Sequence, residues 1–135
     1  MPLIKDLLET PPTLSAASKY TTVNGIVYIG VGVLLVAWPG AIQTLFMDPA
    51  FVGHEKALIR VIGMTIGVIG WLYFFGGRSG ARQVVAASVV DRIVFVPAVL
   101  VPLAIAGAFP HLLMTFAIFD PLLAIGAWVL LRRKV

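Results

Sequence analysis

Four ionisable side chains, Arg60, Asp91, Arg92 and Asp120, fall inside long apolar stretches of the chain. A charge in hydrocarbon costs at least about 2.5–3.5 kcal/mol on insertion scales, so each of the four needs a partner, water or a use. A carboxyl desolvated in such a place can couple a proton or act as an acid or base, and an arginine can hold an anionic head group. A structural hydrogen-bond anchor satisfies the same residues without any chemistry.

Spacing along the apolar stretches sets which of the four can meet. Counting about 1.5 Å per residue from the basic residues that end each stretch, Asp91 lies roughly 14 Å deep, Arg92 roughly 15 Å, Asp120 roughly 18 Å and Arg60 roughly 27 Å. Arg92 and Asp120 match to within one helical turn on consecutive helices, which predicts an ion pair near mid-membrane. Arg60 shares a stripe with Gly63, Met64, Gly67 and Trp71, so it is expected to face inward and reach toward Asp120, leaving two arginines beside one aspartate. Asp91 has only its neighbour Arg92 at its depth, and Asn24, Tyr28 and Tyr73 are the polar groups expected to hydrogen-bond it.

His54 and His111 lie at the outer ends of two stretches and could ligate a metal or haem, but no short motif such as HxxxH joins them. No metal and no cofactor is expected. The chain has no cysteine, which excludes disulfides, thiolate nucleophiles and thiolate metal sites. There is no Walker loop, GxSxG, HExxH or dinucleotide-binding glycine pattern.

These residues must be positioned by helices in a bilayer. At 60% hydrophobic and 12% charged residues, a 135-residue chain has one domain's length and far too much apolar surface for water. Four apolar runs, about 21–38, 57–75, 84–109 and 112–131, each approach the roughly 20 residues a bilayer requires. The expected fold is an all-α membrane protein, an antiparallel four-transmembrane-helix bundle. After the first span the semi-apolar stretch 41–47 reads as an interfacial or re-entrant segment, closed by an Asp48-Pro49 turn. The two domains implied are a cytoplasmic N-terminal segment, 1–20, and the transmembrane domain, 21–135. Leu3, Ile4, Leu7 and Leu8 could line a short interfacial helix in the first, and a disordered tail is the alternative.

Seven of the ten basic residues (Lys5, Lys19, Arg78, Arg82, Arg132, Arg133 and Lys134) share one side if the chain crosses four times. Cytoplasmic loops retain Lys and Arg, so both termini are expected inside, in a bacterial inner (plasma) membrane. The net charge of +4 therefore reflects orientation, and nucleic acid is not an expected partner. Pro97 and Pro102 in the third run and Pro121 in the fourth predict kinks. Gly63 and Gly67 form a GxxxG pair near Gly70, and Gly25, Gly30 and Gly32 lie in the first run, so close helix approach is expected either within one chain or between copies. Stretches 39–51 and 110–122 are faintly alike, each starting with proline and carrying an Asp-Pro pair, which hints at a duplicated two-helix unit.

Three functional classes follow from this pattern. A protein that binds or transports a small or lipophilic ligand would use Arg60, Asp91, Arg92 and Asp120 to line a polar cavity. An accessory subunit of a larger membrane complex would use the same charges as glue. A membrane enzyme acting on a lipid-like substrate would use Asp91 or Asp120 as acid or base. Expected partners are membrane lipids and either a second copy of the chain or a larger membrane complex.

Overall fold

A computed structural model of the protein describes residues 2–133, so Met1, Val135 and the counted basic residue Lys134 lie outside the described residues. The chain is all-helical, with 80% of it in helix and no strand among the described residues. In chain order the elements are α1 (Pro2–Leu8), α2 (Ala16–Ala37), α3 (Ala41–Phe46), α4 (Glu55–Arg78), α5 (Arg82–Val90), a π-helical turn (Asp91–Phe95), α6 (Val96–Ile105) and α7 (Pro110–Arg132). α5, the π turn and α6 form one continuous 24-residue helix, Arg82–Ile105. With α2, α4 and α7 it makes four helices of 22 to 24 residues that are long and apolar enough to cross a membrane. At about 1.5 Å per residue each is somewhat longer than a hydrocarbon core of about 30 Å.

The helix boundaries have local causes. α2 begins five residues before the apolar run because Ser15 caps it, its hydroxyl accepting from the Ser18 backbone N–H at 3.1 Å. α6 and α7 are joined by a tight link in which Gly107 takes φ 92, a left-handed conformation that costs glycine little. The π turn ends two residues before Pro97. Proline offers no N–H to the carbonyl four residues back and its ring crowds that carbonyl. The helix widens instead, and the Val96 N–H donates to the Asp91 carbonyl five residues earlier. Pro102 and Pro121 sit within continuous helices. The resemblance between 39–51 and 110–122 has no structural counterpart, since the first is the short α3 with its loops and the second lies within α7.

Packing is dominated by α2 against α4. A Cβ on Gly25 would lie 2.4 Å from the Phe74 nitrogen, and one on Gly32 would lie 2.5 Å from the Gly67 nitrogen, so the two backbones touch where only glycine fits. Further along the same interface Gly77 meets Ser18 and Thr22. The glycine faces thus pack within one chain. α7 packs on α5 and α6, and the Tyr20 hydroxyl of α2 donates to the Leu123 carbonyl of α7 at 2.8 Å.

Two apolar clusters close the core. Ala17, Val85, Val89 and Ala127 form one, and Leu35, Ile42, Ile59 and Leu112 form the other. On α2 and α7, which contribute to both clusters, the buried polar residues Ser18, Thr21, Asn24 and Asp120 come between them. The stretch 41–47 contains a true helix, α3, whose Ala41 and Ile42 are fully buried. α1 is helical as well, with no buried residue.

Candidate functional site

Arg92 enters the core from the π turn and is completely buried. Its side chain folds back along its own helix, where Nε donates to the Ser88 carbonyl at 3.0 Å and Nη2 donates to the Ser88 hydroxyl at 3.2 Å. Ser88 is one turn earlier on the same face, and its hydroxyl donates onward to the Val85 carbonyl at 2.7 Å. The guanidinium carbon lies 5.0 Å from the centre of the Tyr73 ring, a cation–π contact that helps hold a desolvated cation. Nη1 has no hydrogen-bond partner among the described residues.

Around this cation stand two acid–phenol pairs. The Tyr28 hydroxyl of α2 donates to Asp120 Oδ1 of α7 at 2.6 Å. The Tyr73 hydroxyl of α4 donates to Asp91 Oδ2 in the π turn. The two rings pack edge to face, with centroids 5.5 Å apart and planes at 65°. Arg92 is within coulombic range of both carboxyls. Four helical segments therefore supply five parts: a phenol from α2, a phenol from α4, an acid and the cation from the π turn, and an acid from α7.

This geometry departs from the expected pairing in four respects. Arg92 and Asp120 do not form a direct ion pair, because the guanidinium is held by Ser88 and Asp120 is occupied by Tyr28. Tyr28 belongs to Asp120 and not to Asp91. Asn24 is buried but makes no hydrogen bond to Asp91, and its Nδ2 has no partner among the described residues. Arg60 is exposed on the outside of α4, as are Met64 and Trp71. The buried face of α4 runs through Ile59, Gly63, Gly70, Tyr73 and Gly77. Arg60 follows Ile59 directly and so points about 100° away from the centre of that face.

A second buried acid was hidden in sequence as part of a turn. Asp48 is buried and caps α7 from a distance, its Oδ1 accepting from the His111 N–H at 2.8 Å and its Oδ2 from the Leu112 N–H at 3.0 Å. His111 Nδ1 lies 2.7 Å from the Phe46 carbonyl, which makes that nitrogen the donor and ties α3 to the start of α7. The only sequence signal was an Asp-Pro pair before a helix distant in the chain. His54 stands apart at the start of α4, and no group of three or more His, Asp or Glu converges among the described residues.

The acid–phenol pairs border a small cavity, and Asp120 also lines a larger groove that shares part of its wall. A small cavity of about 40 Å³ is walled by Tyr28, Tyr73, Asp91 and Asp120 together with apolar side chains. Ile66, Ile69, Val96, Phe116 and Asp120 are shared with a groove of about 520 Å³ between α4 and α6, floored by α7. Thr65 is the groove's other polar residue besides Asp120, and its hydroxyl is spent on the Val61 carbonyl at 2.9 Å. Asp120 Oδ2 accepts no hydrogen bond from the described residues. Chemically, the groove can receive an apolar body, and its inner end can accept a hydrogen bond at a carboxyl held beside a buried cation.

No family model matches the chain, and no curated protein and no solved structure matches it.

Proposed function

We propose that this protein binds a lipophilic molecule bearing a hydroxyl or amine, captured sideways from the acyl layer. The ligand's tail lies in the groove between α4 and α6, and its polar head reaches Asp120. The observation that carries this reading is an apolar groove of about 520 Å³ with Asp120 in its wall, one of whose carboxyl oxygens has no protein donor. Asp120 is 8% exposed and has one carboxyl oxygen without a protein donor, which favours a ligand that donates to it.

The reading includes an antiparallel bundle of four spans in a bacterial inner membrane, with both termini cytoplasmic. Its support is the register of contacts, in which Ser18 meets Gly77, Gly25 meets Phe74 and Gly32 meets Gly67. At the other interface Arg82 Nη2 donates to the Leu131 carbonyl at 2.9 Å, joining the start of α5 to the end of α7. The basic residues collect at that same end, which the positive-inside rule assigns to the cytoplasm.

The test is photolabelling in vesicles with diazirine-bearing fatty alcohol, fatty amine and fatty acid probes. The alcohol and amine should label groove positions such as Ile66, Val99 and Phe116. Asp120→Leu should lower that labelling roughly fivefold to tenfold, the value of one hydrogen bond to a buried acid. Equal labelling of the outer surface around Val33 and Trp71, irrespective of head group, would refute the site. Recovery of the chain only within a larger native assembly, with the groove covered, would favour the accessory-subunit reading instead.

A further inference from the structure

A second groove, of about 490 Å³, runs between α5 and the C-terminal part of α7, and neither Asp91 nor Asp120 lines it. We infer that it is a binding site for an anionic glycerophospholipid, with Arg82 and Arg132 on the phosphate and an acyl chain along α5. The inference rests on the membrane reading above.

The charge in this groove is one-sided. Arg82 and Arg132 are its only charged lining residues, and neither makes a salt bridge among the described residues. Arg82 is held in place by its bond to the Leu131 carbonyl at 2.9 Å. Arg132 lies over the Trp128 ring, 4.7 Å from its centre. Two arginines on the wall of one groove, each with donors to spare, suit the oxygens of a phosphate. The first turn of α5 adds to this field, because its N-cap residue Ala81 supplies no side-chain acceptor to the free backbone N–H groups.

Below the arginines the walls are apolar, formed by Ala86, Val89, Val90, Ile93 and Val94. From Arg82 to Val94 is 12 residues of one helix. That is about 18 Å at 1.5 Å per residue, close to half of a hydrocarbon core of about 30 Å. The groove therefore starts at cations and ends near the midplane, as a single phospholipid in one leaflet does. Trp128 at its mouth is the residue type that settles at the headgroup level. A free phosphate would use the arginines and leave the apolar walls without a role.

The experiment uses the full chain with Trp38→Phe and Trp71→Phe, so that Trp128 is its one indole. It is reconstituted in phosphatidylcholine vesicles in which either a few per cent of phosphatidylglycerol or the same share of phosphatidylcholine carries brominated chains. Brominated phosphatidylglycerol should quench Trp128 with an apparent affinity up to about 25-fold higher, since each of the two arginines contributes roughly fivefold. Arg82→Gln with Arg132→Gln should abolish the preference, and the paired lysine substitutions should retain much of it. Arg78→Gln, a basic residue near the same end but outside the groove, should leave it unchanged.

Equal quenching by the two lipids would overturn the site while leaving membrane insertion intact. So would an Arg78→Gln loss as large as the groove variants show, which would mean diffuse surface charge. Competition by millimolar inorganic phosphate would overturn the lipid as ligand. No quenching by either lipid would remove Trp128 from the bilayer, and the membrane reading would fail with it.

Discussion

A fully buried guanidinium is costly in water-soluble proteins and more so in hydrocarbon, and Arg92 offsets that cost through its own helix, an aromatic face and two nearby acids. The two acids are in turn held by phenols, so no member of the group is independent of the others. Arg92→Met should destabilise the fold by about 3–5 kcal/mol, because it strips the compensating charge from Asp91 and Asp120 together. In an Asp91→Asn, Asp120→Asn background the same substitution should cost clearly less. The coupling is measurable by reversible unfolding in mild detergent with a mutant cycle. Simple additivity would show that Arg92 acts without the acids.

At the scale of elements, glycine placement decides how α2 and α4 meet. Gly25 and Gly30 lie on the same helix and differ in what surrounds them, for a Cβ at Gly25 runs into the backbone of Phe74 and Gly70 while one at Gly30 meets nothing within 4 Å. Gly25→Ala should lower stability by about 2 kcal/mol, the usual cost of forcing a packed interface apart. Gly30→Ala should leave it unchanged or raise it by up to about 1 kcal/mol through helix propensity. Thermal unfolding of the two variants in the same detergent separates these outcomes, and equal losses would argue against the α2–α4 contact. The π turn works at this scale too. Pro97 prevents the regular ladder, and the widened turn is where Asp91 and Arg92 enter the core.

For the whole molecule, four helices are long and apolar enough to span a membrane, and the proposed orientation puts the basic end in the cytoplasm and the Asp48–His111 contact on the opposite side. A green fluorescent protein fused to the C-terminus should fluoresce in bacterial cells, and alkaline phosphatase fused after Gly53 should be active. The opposite pattern would invert the orientation and would move the proposed phospholipid groove to the outer leaflet.

Which stretches become long helices was legible in the amino-acid order because it depends on local composition: a run of about twenty apolar residues has one comfortable solvent and one backbone that satisfies itself there. That Asp91, Arg92 and Asp120 lie within such helices follows in the same way. Their bonding does not. Whether Tyr28 reaches Asp120 or Asp91, and whether Arg60 looks in or out, turns on the rotation of each helix about its axis and its height against its neighbours. Counting by threes and fours admitted Arg60 to the glycine stripe, yet the contact with α2 is centred on Ile59, Gly63 and Gly70, and a shift of one residue carries a side chain about 100° around. Asp48 is the same case over a longer reach, since its two backbone donors belong to a helix more than sixty residues away in the chain. Local chemistry chooses the helix and its solvent, while packing between distant segments chooses the partners, because hydrogen bonds are sensitive to a few tenths of an ångström and hydrophobicity is not.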